Sequence, residues 1–243
     1  MDELPEFCAR VLGRGEGAMQ AAVEARDRAS GGDRVALLAA AVAACRALEL
    51  AQVPVADPTA EPLELAQVPV ADPTAEPLEL APVPVADPTA EPLELAQAVA
   101  GELAVANAEL PQRQREALAL RELLGLSHEQ IARVIGIDVV AVAPLLARSR
   151  LRLRTQLRGG LGANLGCAER ERSLRAIARR QDSEPVDEDD TAWLMDHLGR
   201  CPGCNQAHAA MLEASVCYRA WRVQADERPG VDHGGPATGS AAS

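Results

Sequence analysis

The side chains with the most chemistry in this 243-residue chain are cysteines and a histidine near its C-terminal end. His197-Leu-Gly-Arg-Cys201-Pro-Gly-Cys204 has H-x3-C-x2-C spacing, and Cys167 lies upstream. A Cys-x2-Cys pair with Pro-Gly between its thiols is a tight knuckle that points both sulfurs at one ion. A histidine four residues earlier comes from the end of the preceding helix. A fourth ligand from a separate helix completes three sulfurs and one nitrogen, a common structural zinc set. Cys167 is the candidate for that place, with Cys217 and His208 as competitors. Four protein ligands leave no open position, so such a zinc is structural. The alternative is a metal-free helical tail with a Cys-Pro-Gly-Cys turn.

Three helices have to carry these ligands. Leu174, Ile177 and Ala178 mark one after Cys167. Trp193, Leu194 and Leu198 mark a second, entered through acidic Asp187–Asp190, a charge that suits a helix N-terminus. Met211, Leu212, Val216, Tyr218 and Trp221 mark a third. Their shared core is small, so metal would supply part of the folding energy.

The second chemistry is phosphate binding. Residues 111–160 carry nine arginines against four acids, a net +5 in a chain whose total is −12. Residues 1–110 net −13 and residues 161–243 net −4. A basic island in an acidic chain is an electrostatic footprint for phosphate. Three helices organise it. The first runs from Gln112 to about Leu124 and stops at Gly125. Ser127 with Gln130 three residues later makes a capping box that starts the second. Ile131, Val134 and Ile135 are its apolar face. Gly136 supplies a tight turn, and Asp138 can cap a third helix through Val142, Leu145, Leu146, Leu151 and Leu153. A short helix, a Gly-containing turn and a longer Arg-rich helix form a helix-turn-helix. The residues expected at DNA are Arg115, Ser127, Arg148, Arg150, Arg152 and Arg154.

The stretch LPQRQREALALRELLGLSHEQIARVIGI, followed by ARSRLRLR, resembles the last conserved region of sigma-70 family RNA polymerase factors, closest to the extracytoplasmic-function type. The resemblance implies −35 promoter DNA and the RNA polymerase core as partners. The third helix departs from the family pattern. Asp138 would repel phosphate, and no side chain from Val139 to Leu145 can hydrogen-bond a base edge. Pro144 falls inside the helix unless the helix starts late, at a cost of about 3 kcal/mol. Backbone holding by arginine is therefore more credible than sequence reading. Residues 167–204 resemble the zinc-binding anti-sigma fold, through Cys167, His197-Leu198 and Cys201-Pro202-x-Cys204. That resemblance implies zinc on Cys167, His197, Cys201 and Cys204, and a sigma or anti-sigma protein as a further partner.

The expected architecture is all-α. Residues 1–50 form an Ala-rich helical segment, with Phe7, Val11, Leu12, Met19, Ala22 and Val23 on one face and Asp33 capping a helix from Arg34. It has no recognisable counterpart of the family's promoter-opening domain. Residues 51–95 are three 15-residue copies of AQVPVADPTAEPLEL, one with Pro82 for Gln. At least three prolines per copy favour an extended acidic linker. Residues 96–160 hold the helix-turn-helix, 161–225 the zinc domain, and 226–243 a disordered tail. Gly159, Gly160 and Gly162 mark a hinge. Cys8 and Cys45 read as small buried hydrophobes.

No catalytic constellation is visible, so an enzyme is not expected. The longest apolar run, Val35–Cys45, is too short for a span of roughly 20 residues, and the acidic start is no secretory signal. No membrane role is expected, and the protein is expected in the cytoplasm. Three functions remain. The first is a sigma-like initiation protein gated in cis by its zinc domain. The second is a degenerate regulator that binds protein partners without reading DNA. The third is a thiol-redox sensor built on oxidisable zinc-bound thiolates.

Overall fold

The computed structural model describes residues 3–29, 33–51, 100–158 and 167–221. The repeats beyond Ala51, the three hinge glycines and the C-terminal tail lie outside the described residues, as does the start of the segment before Ala100. Among the described residues the secondary structure is helical with no strand, and the chain is all-α as expected from its helix patterns. No single helix is long and apolar enough to cross a membrane.

The helices are α1 (Leu4–Leu12), α2 (Ala18–Arg28), α3 (Arg34–Ala51), α4 (Ala100–Ala108), α5 (Gln112–Leu118), α6 (His128–Ile135), α7 (Val142–Arg158), α8 (Arg170–Gln181), α9 (Glu188–Arg200) and α10 (Pro202–Ala220). A π turn, Ala119–Leu123, extends α5, and a 3-10 turn, Val139–Ala141, precedes α7.

Local chemistry sets these ends. The Asp33 carboxylate accepts from Ala36 N–H at the start of α3. Both halves of the capping box form at α6: Ser127 Oγ accepts from Gln130 N–H, and Gln130 Oε1 accepts from Ser127 N–H. Gly136 ends α6 at φ 71°, a left-handed conformation that costs glycine little. Asp138 then caps the 3-10 turn by accepting from Val140 N–H. The regular helix therefore starts at Val142, and Pro144 falls in its first turn. There its missing N–H breaks no intrahelical bond, so the expected interior-proline penalty does not arise.

Helices α1–α3 pack together and against α5 and α6. Phe7, Val11 and Leu12 are fully or nearly fully buried, as expected of the α1 face. Met19 and Val23 correct the expected α2 face: both are exposed, and Ala18, Ala21, Ala22 and Ala25 make the contact instead. Small side chains there let α2 lie close to its neighbours. One apolar core runs from α1 through α4–α7 to Ala214, Cys217, Tyr218 and Trp221 at the end of α10. A second cluster joins Ala143, Ala147 and Leu151 of α7 to Leu174 and Ile177 of α8 and Met211 of α10. Helix α7 thus lies between the two cores, covered on one side by α5 and on another by α8 and α10.

The first and last helices among the described residues are tied directly. Arg10 is completely buried. Its guanidinium donates to the Tyr218 carbonyl at 2.9 Å and to the Trp221 carbonyl. It also lies 4.9 and 5.0 Å from the Tyr218 and Trp221 ring centres. Glu6, one turn earlier on α1, balances its charge at 2.8 Å.

Candidate metal centre and nucleic-acid interface

Three helix ends bring Cys167, His197, Cys201 and Cys204 together. Cys167 immediately precedes the turn into α8. His197 is in the last turn of α9. Cys201 sits at the junction where α9 ends and α10 begins, and Pro202 at the first position of α10 pre-sets the helical φ. Cys204 follows in the first turn. The four ligand atoms all lie within 4.8 Å of one another, and Cys167 Sγ is 3.5 Å from His197 Nε2. A tetrahedral ion with Zn–S of about 2.3 Å and Zn–N of about 2.0 Å spaces its ligand atoms by about 3.5–3.8 Å. The cluster can therefore hold a metal ion, and its donor set suits zinc.

The surroundings orient the ligands. The Trp193 ring stacks on His197 with centres 5.0 Å apart. Arg172 lies 4.0 Å over Trp193 and pairs with Asp190. Backbone N–H of Cys204 toward the Cys201 sulfur holds the Cys201 thiol below its ordinary pKa. Burial pushes the Cys204 thiol up to about 11, with the Ser173 hydroxyl opposing. The two competing ligands sit elsewhere. Cys217 belongs to the main core, about 20 Å along α10 from Cys204 at 1.5 Å per residue. His208 is partly buried near Arg180, and burial followed by that charge lowers its pKa. Cys8 and Cys45 are buried against each other in the N-terminal core; the Cys8 contact and then burial push the Cys45 thiol far above its ordinary range.

The six residues expected at DNA separate into two groups. Arg148 and Arg152 are exposed on the face of α7 opposite its core, in line with Pro144 and Gln156. Ser127 spends its hydroxyl on the α6 cap. Arg115 turns inward: it donates to the carbonyls of Val11, Ala108 and Leu110 and pairs with Glu49, so its placement at DNA is corrected. Arg154 pairs with Glu213 of α10 at 2.6 Å, and Arg158 joins the same carboxylate. Arg150 is the largest correction. Its side chain is 1% exposed and forks between Glu122 at 2.6 Å and Asp182 at 2.5 Å, themselves 1% and 2% exposed.

Asp182 is the centre of a buried polar network that no motif announced. It follows α8 and takes Arg150, Arg121 Nε at 3.0 Å and His128 Nε2 at 2.9 Å. Burial acts to raise its carboxyl pKa, but the His128 hydrogen bond and the Arg150 and Arg121 charges outweigh burial and hold it below the ordinary value. Glu122 accepts from Ser215 Oγ at 2.7 Å and meets Arg219 at 3.4 Å. Two residues on from Asp182, Glu184 Oε1 accepts from His128 N–H at 2.8 Å, at the first position of α6. The signal available in the sequence was helical geometry. Arginines at every second position of α7 point in opposite directions, so 148 and 152 share one face while 150 and 154 share the other.

A search of curated proteins and a search of solved structures returned no match. One family model matches, over α4, α5, α6 and most of α7. Residues 101–153 match the family described as Sigma-70, region 4, which supports the helix-turn-helix of this chain as a sigma-70 region 4 domain with a role in transcription initiation and DNA binding.

Proposed function

We propose that this chain acts in transcription initiation as a sigma-like protein. In this reading the helix-turn-helix contacts promoter DNA and the RNA polymerase core in the cytoplasm, and a structural zinc holds α8–α10 as a regulatory module on it. The observation that carries the reading is the match of residues 101–153 to a region 4 model, on helices whose third member exposes Arg148 and Arg152. These two guanidiniums lie on one face, one helical turn apart, a spacing that suits a phosphate backbone. What supports zinc is the grouping of Cys167, His197, Cys201 and Cys204, three sulfurs and one nitrogen within 4.8 Å of one another, the donor set of a structural zinc site. It would fix the ends of α8, α9 and α10 that carry those ligands. The α7 side of the module packs at Ala143, Ala147 and Leu151, so metal at one end supports contact with the helix-turn-helix at the other.

The test is fluorescence anisotropy of the full chain on duplex DNA across a salt series, beside Arg148→Gln/Arg152→Gln. Loss of two phosphate contacts reduces the slope of log affinity against log salt by roughly 1.8, at about 0.9 per contact. An unchanged slope and affinity would refute phosphate binding by this face.

A second reading has its own observation. Val139 and Val140 are exposed in the 3-10 turn before α7, and no side chain from 139 to 145 donates to a base. A protein-binding regulator without sequence reading fits that surface. Under it, a −35-like duplex and a scrambled duplex compete equally.

A further inference from the structure

We propose that the turn Asp182–Glu184 occupies the DNA-backbone site of the helix-turn-helix, its two carboxylates standing where phosphates bind, so that DNA and the C-terminal module compete for one surface. The inference rests on the DNA-binding reading above and adds the site and its occupant.

Three cationic or donor groups converge on Asp182 from the matched segment: Arg121 from the π turn, His128 from α6 and Arg150 from α7. The contacts are those an oxyanion receives. Arg150 reaches both Asp182 oxygens, Nη2 to Oδ1 at 2.5 Å and Nη1 to Oδ2 at 3.2 Å. Guanidinium forks accept carboxylate and phosphate alike. The second carboxylate, Glu184, takes the N–H at the start of α6. That N–H is one of the donors a helix leaves unsatisfied, and together with the helix dipole it favours an anion. Ser127 satisfies a different one, Gln130 N–H, so the His128 N–H depends on the neighbouring module.

Both anions arrive from one short turn. Ser183 between them has φ 55°, the sole non-glycine residue at positive φ among the described residues, with its side chain exposed. The left-handed turn aims its two flanking carboxylates at the helix-turn-helix. Beside Glu184 the seam is not filled: a cleft of about 360 Å³ opens between Val139 and Val140 on one wall and Arg175 and Arg179 on the other. Separation can begin there. Withdrawal of the turn frees Arg121, the outer face of the Arg150 guanidinium, His128 and the α6 N-terminus as one donor surface beside the 3-10 turn, with Glu122 of the same domain still holding the inner side of Arg150.

Two experiments test this. The first uses the unaltered full chain loaded with zinc. Amide hydrogen exchange is followed with and without a saturating random-sequence duplex at low salt. Faster exchange around residues 182–184 and at the end of α8 is expected on DNA binding. DNA bound with protection there unchanged would overturn the proposal, and this arm holds even where a variant fails to fold. The second measures affinity of Asp182→Asn/Glu184→Gln against Glu188→Gln/Asp189→Asn, which makes the same charge change on exposed residues. The first pair should bind at least tenfold more tightly than the second, with a salt slope steeper by about 0.9 for each arginine made available to phosphate. Adding Arg121→Gln should remove part of that gain. Equal gains from the two pairs would overturn the proposal. If the unaltered chain binds DNA through Arg148 and Arg152 but the first pair brings no gain, this inference falls and the DNA-binding reading stands. If no form binds DNA, both fall.

Discussion

Arg150→Met probes whether the module is seated on the helix-turn-helix as described. The guanidinium is the main counter-charge for two carboxylates that are almost completely removed from water, Glu122 and Asp182. Methionine fills much of the same volume but leaves those charges facing each other across the seam. Arg121 and Arg219 remain, at 3.0 and 3.4 Å, but their side chains are 19% and 54% exposed and solvent weakens them. Breaking a buried pair by removing one partner costs about 3–5 kcal/mol. For a chain of this size that lowers Tm by about 6–20 °C, at roughly 2–4 °C per kcal/mol. Calorimetry of the zinc-loaded protein reads the shift. The penalty has a signature that lost packing lacks. Unpaired buried carboxylates escape their cost by taking up protons, so the gap between variant and parent should narrow from pH 7 to pH 5. Arg150→Met/Glu122→Leu, which removes charges of both signs, should recover much of the stability. A loss under 1 kcal/mol, or a gap independent of pH, would refute the buried network.

Asp182→Asn moves the closing of the gap to a more acid window. The folded-state pKa of Asp182 is held below 3.8, so its stabilisation is fully present above that value and is lost as pH falls below it. The stability gap between Asp182→Asn and the parent should hold from pH 7 to about 4 and close under more acid conditions in urea titrations. Arg10→Met removes the buried donor shared by the Tyr218 and Trp221 carbonyls. A cost of about 2–6 kcal/mol follows at roughly 1–3 kcal/mol per carbonyl, with a red shift of tryptophan emission. Gly136→Ala should lose about 1–2 kcal/mol to the left-handed backbone, because an added Cβ meets nothing within 4 Å. Gly101→Ala in α4 also meets nothing and should gain up to about 1 kcal/mol, both read by denaturant midpoint.

The parts of this molecule that sequence could reveal are those whose cause is local. The α6 cap needs only Ser127 and Gln130, three residues apart, and both bonds form. The Cys201–Cys204 knuckle and His197 before it are likewise fixed by spacing along two successive helices. Cys167 needed folding to show its place, since its proximity depends on how α8 crosses α9. The late start of α7 was hidden because Asp138 caps a 3-10 turn first, and sequence alone does not separate that from a helix start. The buried network was the least legible. Asp182 and Glu184 belong to a polar turn that carries no motif, and only the packing of α8 on α7 brings them to Arg121, His128 and Arg150. The same packing turned half of an apparent phosphate comb into an internal ion pair.

The bond from Arg10 to the far end of the chain also sets a clock. Its acceptors are 208 and 211 positions downstream. At a synthesis rate of about 5–20 residues per second, the α1 guanidinium waits roughly 10–40 s before those carbonyls exist. For that interval the N-terminal helices lack the wall formed by Tyr218 and Trp221, and their apolar faces stay open. Newly made chains are therefore most vulnerable to proteases and to one another before residue 221 emerges, and truncation just short of Trp221 leaves that vulnerability permanent.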